Sequence, residues 1–186
     1  DTKVIQEAID KYDNIYVPQG WYRITETLKM KPDTKLIGLH PFGTQFRLDE
    51  STAAFSGFGG PKAMVESSEG GANMLMGIGI NTGGYNYRAV GVKWMANADS
   101  YMNDVKFVGG HGGLWKPKPG VEEPRGRWNR PARISSLDNP VAASGMDLAW
   151  DNQYWSLWVT NNGGGTFKDI WTASTYATNG FYANNT

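Results

Sequence analysis

Apolar and polar residues recur along this chain with a period that changes once. At the start Val4, Ala8 and Tyr12 fall every fourth position and Ile5 and Ile9 reinforce the stripe. That spacing predicts an amphipathic helix, capped by Asp1 or Thr2 and ending near Lys11. From there the period is two. The runs Ile15-Tyr16-Val17-Pro18, Gly20-Trp21-Tyr22-Arg23-Ile24, Leu28 to Met30 and Lys35-Leu36-Ile37-Gly38-Leu39 alternate, with Pro32-Asp33, Pro41 and Gly43 as punctuation between them. Short strands joined by tight turns are the expectation.

The runs also repeat. Met76-Gly77-Ile78-Gly79-Ile80 aligns with Asn103-Asp104-Val105-Lys106-Phe107, and that with Trp155-Ser156-Leu157-Trp158-Val159; Gly-rich turns follow each. A second set comprises Gly91-Val92-Lys93-Trp94 and Asp147-Leu148-Ala149-Trp150, with Gly180-Phe181-Tyr182 as a third member. Ile78 and Val105 lie 27 residues apart, and removing the 31 residues of the stretch 114–144 brings the later spacings to 25 and 21. Two or three strands in so short a repeat suit one turn of a parallel β-helix, in which equivalent residues stack from coil to coil. Val92 is then expected against Leu148 and Trp94 against Trp150, while Asp104, Lys106, Ser156 and Trp158 face outward.

Composition agrees with strands and turns. Of 186 residues, 24 are Gly, charged residues make up 19% against about 25% in ordinary domains, and aromatics reach 13%. Eighteen basic side chains balance eighteen acidic ones, which argues against a chain-wide field for nucleic acid or an anionic membrane surface. Without Cys there is no thiol nucleophile, disulfide or Cys-zinc site. No apolar run reaches the about 18 residues of a membrane span.

The opening Asp1-Thr2-x-x-Ile5-Gln6-x-Ala8-Ile9-Asp10, the following Ile15-Tyr16-Val17-Pro18-x-Gly20-x-Tyr22-Arg23-Ile24 and then Leu36-Ile37-Gly38 resemble the start of the pectate-lyase-like β-helix superfamily, in the branch related to glycoside hydrolase families 28 and 55. The resemblance covers about the first 40 residues. It implies an all-β, right-handed parallel β-helix with an N-terminal capping helix (1–13), first coils over 14–113, a long inserted loop over 114–144 and further coils over 145–186. It also implies a secreted or periplasmic enzyme that degrades polysaccharides, closest to the glucan hydrolases of family 55, inverting and independent of metals and cofactors. Members carry more coils than this chain supplies. Thr186 follows a strand-like run with no capping helix, so a segment of a longer solenoid is expected, with the remaining coils as its partner, in the same or a separate chain.

The stretch 114–144 carries six basic side chains against three acidic ones and five prolines. Its Trp115 and Trp128, with Arg125, Arg127 and Arg130, suit a sugar: indole faces stack on pyranose rings and guanidinium forks pair with carboxylate or sulfate. His111, in Gly110-His111-Gly112, matches one element of the polygalacturonase pattern, but the accompanying Asn-Thr-Asp, Asp-Asp and Arg-Ile-Lys elements are absent. Trp158 and Trp171, outward by parity, are further sugar platforms. Glycoside hydrolysis needs two carboxyl groups across the scissile bond. The candidates are Asp147, Asp151, Glu122 and Asp104. Asp147 and Asp151 stand about 13 Å apart along one strand, so a pair drawn from different coils or from the loop is favoured. A lyase would instead need a Tyr or cationic base and an arginine to neutralise a uronate, which the loop arginines allow. Three readings therefore stand: a glycoside hydrolase, a non-catalytic glycan-binding or accessory β-helix, and a lyase on uronic or sulfated polymers.

Overall fold

The computed structural model describes residues 1–109, 153–174 and 176–186. Among the described residues a single helix, α1 (Thr2–Lys11), is followed by strands alone. Its buried stripe is Ile5 and Ile9, whereas Val4 and Tyr12 of the predicted stripe are exposed. Asp1 is the N-cap residue, its carbonyl accepting the Ile5 N–H at 3.1 Å, but neither its side chain nor that of Thr2 caps the helix. The Asp1 carboxylate instead accepts the Arg23 N–H at 2.7 Å, and the Thr2 hydroxyl accepts the Thr25 N–H at 2.7 Å. Gln6 acts as a surrogate strand, its amide accepting the Lys29 N–H at 2.8 Å and donating to the Lys29 carbonyl at 3.0 Å. In this way α1 satisfies backbone groups that the first coil would otherwise leave open, and closes that end of the core.

The strands come three to a coil. The first coil holds β1 (Asn14–Val17), β2 (Gly20–Arg23) and β3 (Leu28–Lys29); the second β4 (Lys35–Gly38), β5 (Thr44–Arg47) and β6 (Lys62–Glu66). The third holds β7 (Met74–Met76), β8 (Gly79–Asn81) and β9 (Ala89–Trp94), and the fourth β10 (Tyr101–Asn103), β11 (Lys106–Phe107) and β12 (Gln153–Val159). β13 (Thr166–Lys168), β14 (Trp171–Thr172) and β15 (Ala177–Ala183) complete the fifth. Each coil gives one strand to each of three parallel five-stranded sheets: sheet A (β1-β4-β7-β10-β13), sheet B (β2-β5-β8-β11-β14) and sheet C (β3-β6-β9-β12-β15). This is a parallel β-solenoid.

The core is built from columns of stacked side chains. In sheet A the register runs Ile15, Leu36, Leu75, Met102, Phe167; in sheet B it runs Tyr22, Phe46, Ile80, Phe107; in sheet C it runs Leu28, Val65, Val92, Leu157, Phe181. From Leu36 to Met102 the sheet A column is fully buried, each such side chain contributing roughly 1.5–3 kcal/mol of burial. Burial fades at the last coil, where Phe167 is 37% and Phe181 59% exposed.

The predicted alignment of residues 76–80 with 103–107 is the observed register. The third member is not. Lys168-Asp169-Ile170-Trp171-Thr172 occupies that place, and Trp155–Val159 lies in sheet C, with Leu157 against Val92 and Val159 against Trp94. The expected stacks of Val92 on Leu148 and Trp94 on Trp150 are thereby displaced. Both sets of runs alternate apolar and polar residues, so parity alone could not tell one wall from another. Among the described residues, the long connections 48–61 and 82–88 both leave at the corner between sheets B and C.

Candidate functional site

At the corner between sheets A and B, three successive coils make the same turn. A residue of positive φ comes first (Gly77, φ 65°; Asp104, φ 49°; Asp169, φ 52°) and an inward aliphatic follows (Ile78, Val105, Ile170). The turn needs the left-handed conformation, which Gly adopts freely and Asp tolerates better than most residues. Backbone bonds lock the stack: Gly77 N–H to the Asn103 carbonyl and Asp104 N–H to the Lys168 carbonyl, both 3.1 Å. Since Asn103 pairs with Lys168 and Lys106 with Trp171, Asp104 and Asp169 stand side by side on adjacent coils, whose backbones lie about 4.8 Å apart.

The two carboxylates border an open groove of about 640 Å³. Lys106 Nζ lies 2.7 Å from Asp104 and Lys168 Nζ 3.3 Å from Asp169. Trp171 and Phe42 form the apolar wall, their rings edge to face at 5.9 Å between centroids. Phe42 arrives from the loop of residues 39–43, which crosses the outside of sheet B at Gly79. A Cβ on Gly79 would collide with the Pro41 carbonyl, so glycine there is a condition of the loop's path and of the wall it builds. His40 packs on Phe42 at 5.7 Å, and its Nδ1 accepts the Phe42 N–H at 3.3 Å. The groove thus offers two carboxylates, an ammonium and two aromatic faces within one turn of the solenoid.

Of the sequence-predicted residues, Asp104 and Trp171 lie in this groove and Trp158 on the outside of sheet C. Trp158 is half-buried: its indole N–H donates to Asn184 Oδ1 at 2.7 Å, Lys93 Nζ sits 4.9 Å from its ring and Trp155 packs at 5.2 Å. Trp155 in turn stacks on Tyr182 at 4.0 Å. Asp147, Asp151, Glu122, Trp115, Trp128, Arg125, Arg127, Arg130 and His111 lie outside the described residues. Sequence reasoning missed Asp169. Its signal was the echo of Asn103-Asp104-Val105-Lys106 in Lys168-Asp169-Ile170-Trp171, hidden once the repeat was anchored on residues 155–159.

A second polar cluster lies on the outside of sheet B. Arg47 is 6% exposed, its guanidinium 4.3 Å from the Trp21 ring centre and its Nε buried with no hydrogen-bond partner among the described residues. Burial lowers its pKa, opposed by Asp49 and Tyr176. The Tyr176 phenol is pushed up to about 12, first by burial and then by Glu50 and Tyr85, with Arg47 opposing. At neutral pH this cluster holds a cation and neutral phenols. Among the described residues no group of three or more His, Asp or Glu side chains is placed to hold a metal ion, and no helix is long and apolar enough to cross a membrane. The chain matches no protein-family model, no curated protein and no solved structure.

Proposed function

We propose that this solenoid binds a polysaccharide in the groove between sheets A and B and hydrolyses it there, with Asp104 and Asp169 as the two carboxyl groups. The observation that carries this is their placement: two carboxylates one coil apart, beside the Trp171 and Phe42 rings. Aromatic faces stack on the apolar faces of pyranose rings, while one carboxyl group protonates the leaving oxygen and the other activates a water. Their backbones are separated by about 4.8 Å. Each is held by a lysine of a different strand, Lys106 in β11 and Lys168 in β13. The opening resemblance to glycoside hydrolase families supports the same reading, as does the right-handed winding expected of parallel crossovers.

The partners in this proposal are the glycan and further coils of the same kind. The exposed Phe167 and Phe181 of the fifth coil support the latter, since they continue columns that the second, third and fourth coils bury. A secreted or periplasmic location follows from the substrate class. A binding role without cleavage is the second reading, favoured by the ion pairs that both aspartates make on an open surface. The test is incubation with neutral β-glucans and with uronate polymers, reading new reducing ends and the ultraviolet absorbance of unsaturated products. Reducing ends without unsaturation, abolished by both Asp104→Asn and Asp169→Asn, support the hydrolase. Retention on a glycan column with neither signal assigns binding alone, and unsaturated products assign a lyase.

A further inference from the structure

At the corner between sheets B and C, residues of the connections 48–61 and 82–88 line a second, open cleft of about 560 Å³ together with residues of β12 and β15, away from the aspartate groove. Phe58 stands in it 100% exposed. Its ring stacks on Tyr87 with centroids 6.4 Å apart and planes 10° from parallel. Leaving a whole phenyl ring in water forgoes roughly 1.5–3 kcal/mol of burial, yet the loop that carries it is tied down on both sides. Tyr154 Oη donates to the Gly59 carbonyl at 2.9 Å, Arg88 Nε to the Gly60 carbonyl at 3.1 Å and the Arg88 N–H to the Phe55 carbonyl at 3.0 Å. Tyr154 is itself anchored, its carbonyl accepting the Thr178 hydroxyl at 3.0 Å. The ring is therefore presented on a fixed support.

The chemistry of the lining narrows the occupant. Phe58, Tyr87 and Tyr154 supply ring faces, Thr178 and Gln153 add polar groups, and none of the described lining residues is charged at neutral pH. The aspartate groove, by contrast, carries both signs of charge. A flat apolar face with a hydroxyl rim is complementary to a neutral pyranose, whose C–H face is apolar and whose edge bears hydroxyls; the one cation named at this loop, Arg88, has its Nε on the Gly60 carbonyl and is not among the lining side chains. The geometry points to this cleft as a separate sugar subsite, which seats a neutral hexopyranose unit against Phe58 and Tyr87. The inference rests on the glycan reading for the source of the sugar and fails separately from it.

The experiment is an NMR titration of the whole chain with a neutral β-gluco-oligosaccharide and, in a second arm, an oligogalacturonate, for the unsubstituted protein, Phe58→Ala and Trp171→Ala. The expected result is that the neutral sugar shifts the Phe58 and Tyr87 ring signals, that Phe58→Ala weakens its binding roughly tenfold and that Trp171→Ala leaves those shifts in place. Phe58 is exposed, so its removal leaves the fold intact, which the dispersion of the amide spectrum checks. Unchanged affinity in Phe58→Ala, or equal shifts at Phe58 from the oligogalacturonate, overturns the inference. Binding lost only in Trp171→Ala overturns it while leaving the groove reading standing. Shifts from neither oligosaccharide overturn both.

Discussion

Replacing Asp104 by glycine separates its fold role from its chemical one. The position needs φ near 49°, and the equivalent position one coil earlier is already Gly77. Three terms decide the cost. Relief of the left-handed conformation favours glycine by about 1 kcal/mol. The greater freedom of glycine in the unfolded chain disfavours it by about 0.5–1 kcal/mol. Loss of the partly exposed pair with Lys106 removes about 0.2–1 kcal/mol. Asp104→Gly is therefore expected within about 1 kcal/mol of the parent protein. Asp104→Val loses the same pair and places a β-branched residue at positive φ, for a loss of about 2–3 kcal/mol. Urea unfolding followed by circular dichroism measures both, with midpoints compared at equal slope. Glycan hydrolysis should fall at least about a hundredfold in the stable glycine variant, the scale of losing an acid or base. A loss of more than about 3 kcal/mol in Asp104→Gly would refute the account of the corner, and undiminished hydrolysis would refute the carboxylate assignment.

Two further outcomes follow from the columns and from the Arg47 cluster. Leu75→Ala, in the middle of the sheet A column, should cost about 2–5 kcal/mol, whereas Phe167→Ala, in the same column but 37% exposed, should cost clearly less; equal losses in urea unfolding would contradict the stacking order. The Tyr176 phenol titrates higher in the folded chain than in the unfolded one, so below about pH 10 its stabilising effect is complete, and it is lost as pH rises toward 12. Parent and Tyr176→Phe stabilities should therefore converge or cross over that interval by up to about 3 kcal/mol; parallel stability curves from pH 9 to 12 would show that the phenol is not held neutral by the fold.

Much of the fold was legible because a solenoid repeats locally. Ile5 and Ile9 announced a helix, and the pairs Ile78 with Val105 and Ile80 with Phe107 announced a register that the structure reproduces. Asp1 is the N-cap as read, but the Asp1 and Thr2 side chains serve distant backbone groups, Arg23 and Thr25, which no local pattern reveals. The site was half legible. Asp104 was found by its outward parity, while Asp169 was hidden by the displaced repeat.

By itself, the sequence determined the alternation that makes short strands, the glycine and aspartate positions at which the chain can turn with positive φ, and the apolar residues that fill a column. Those are properties of single residues and near neighbours, set by sterics and by burial. The tertiary structure decided which strand lies on which. Forty-five residues of sequence separate β11 (ending at Phe107) from β12 (starting at Gln153), and a repeat read along the sequence loses count across so long a connection because hydrogen bonds between coils, unlike alternation, carry no fixed sequence spacing. Only that pairing places Asp169 beside Asp104, Phe42 against Trp171 and Tyr154 beneath the Phe58 loop, and so brings together the groups on which function depends.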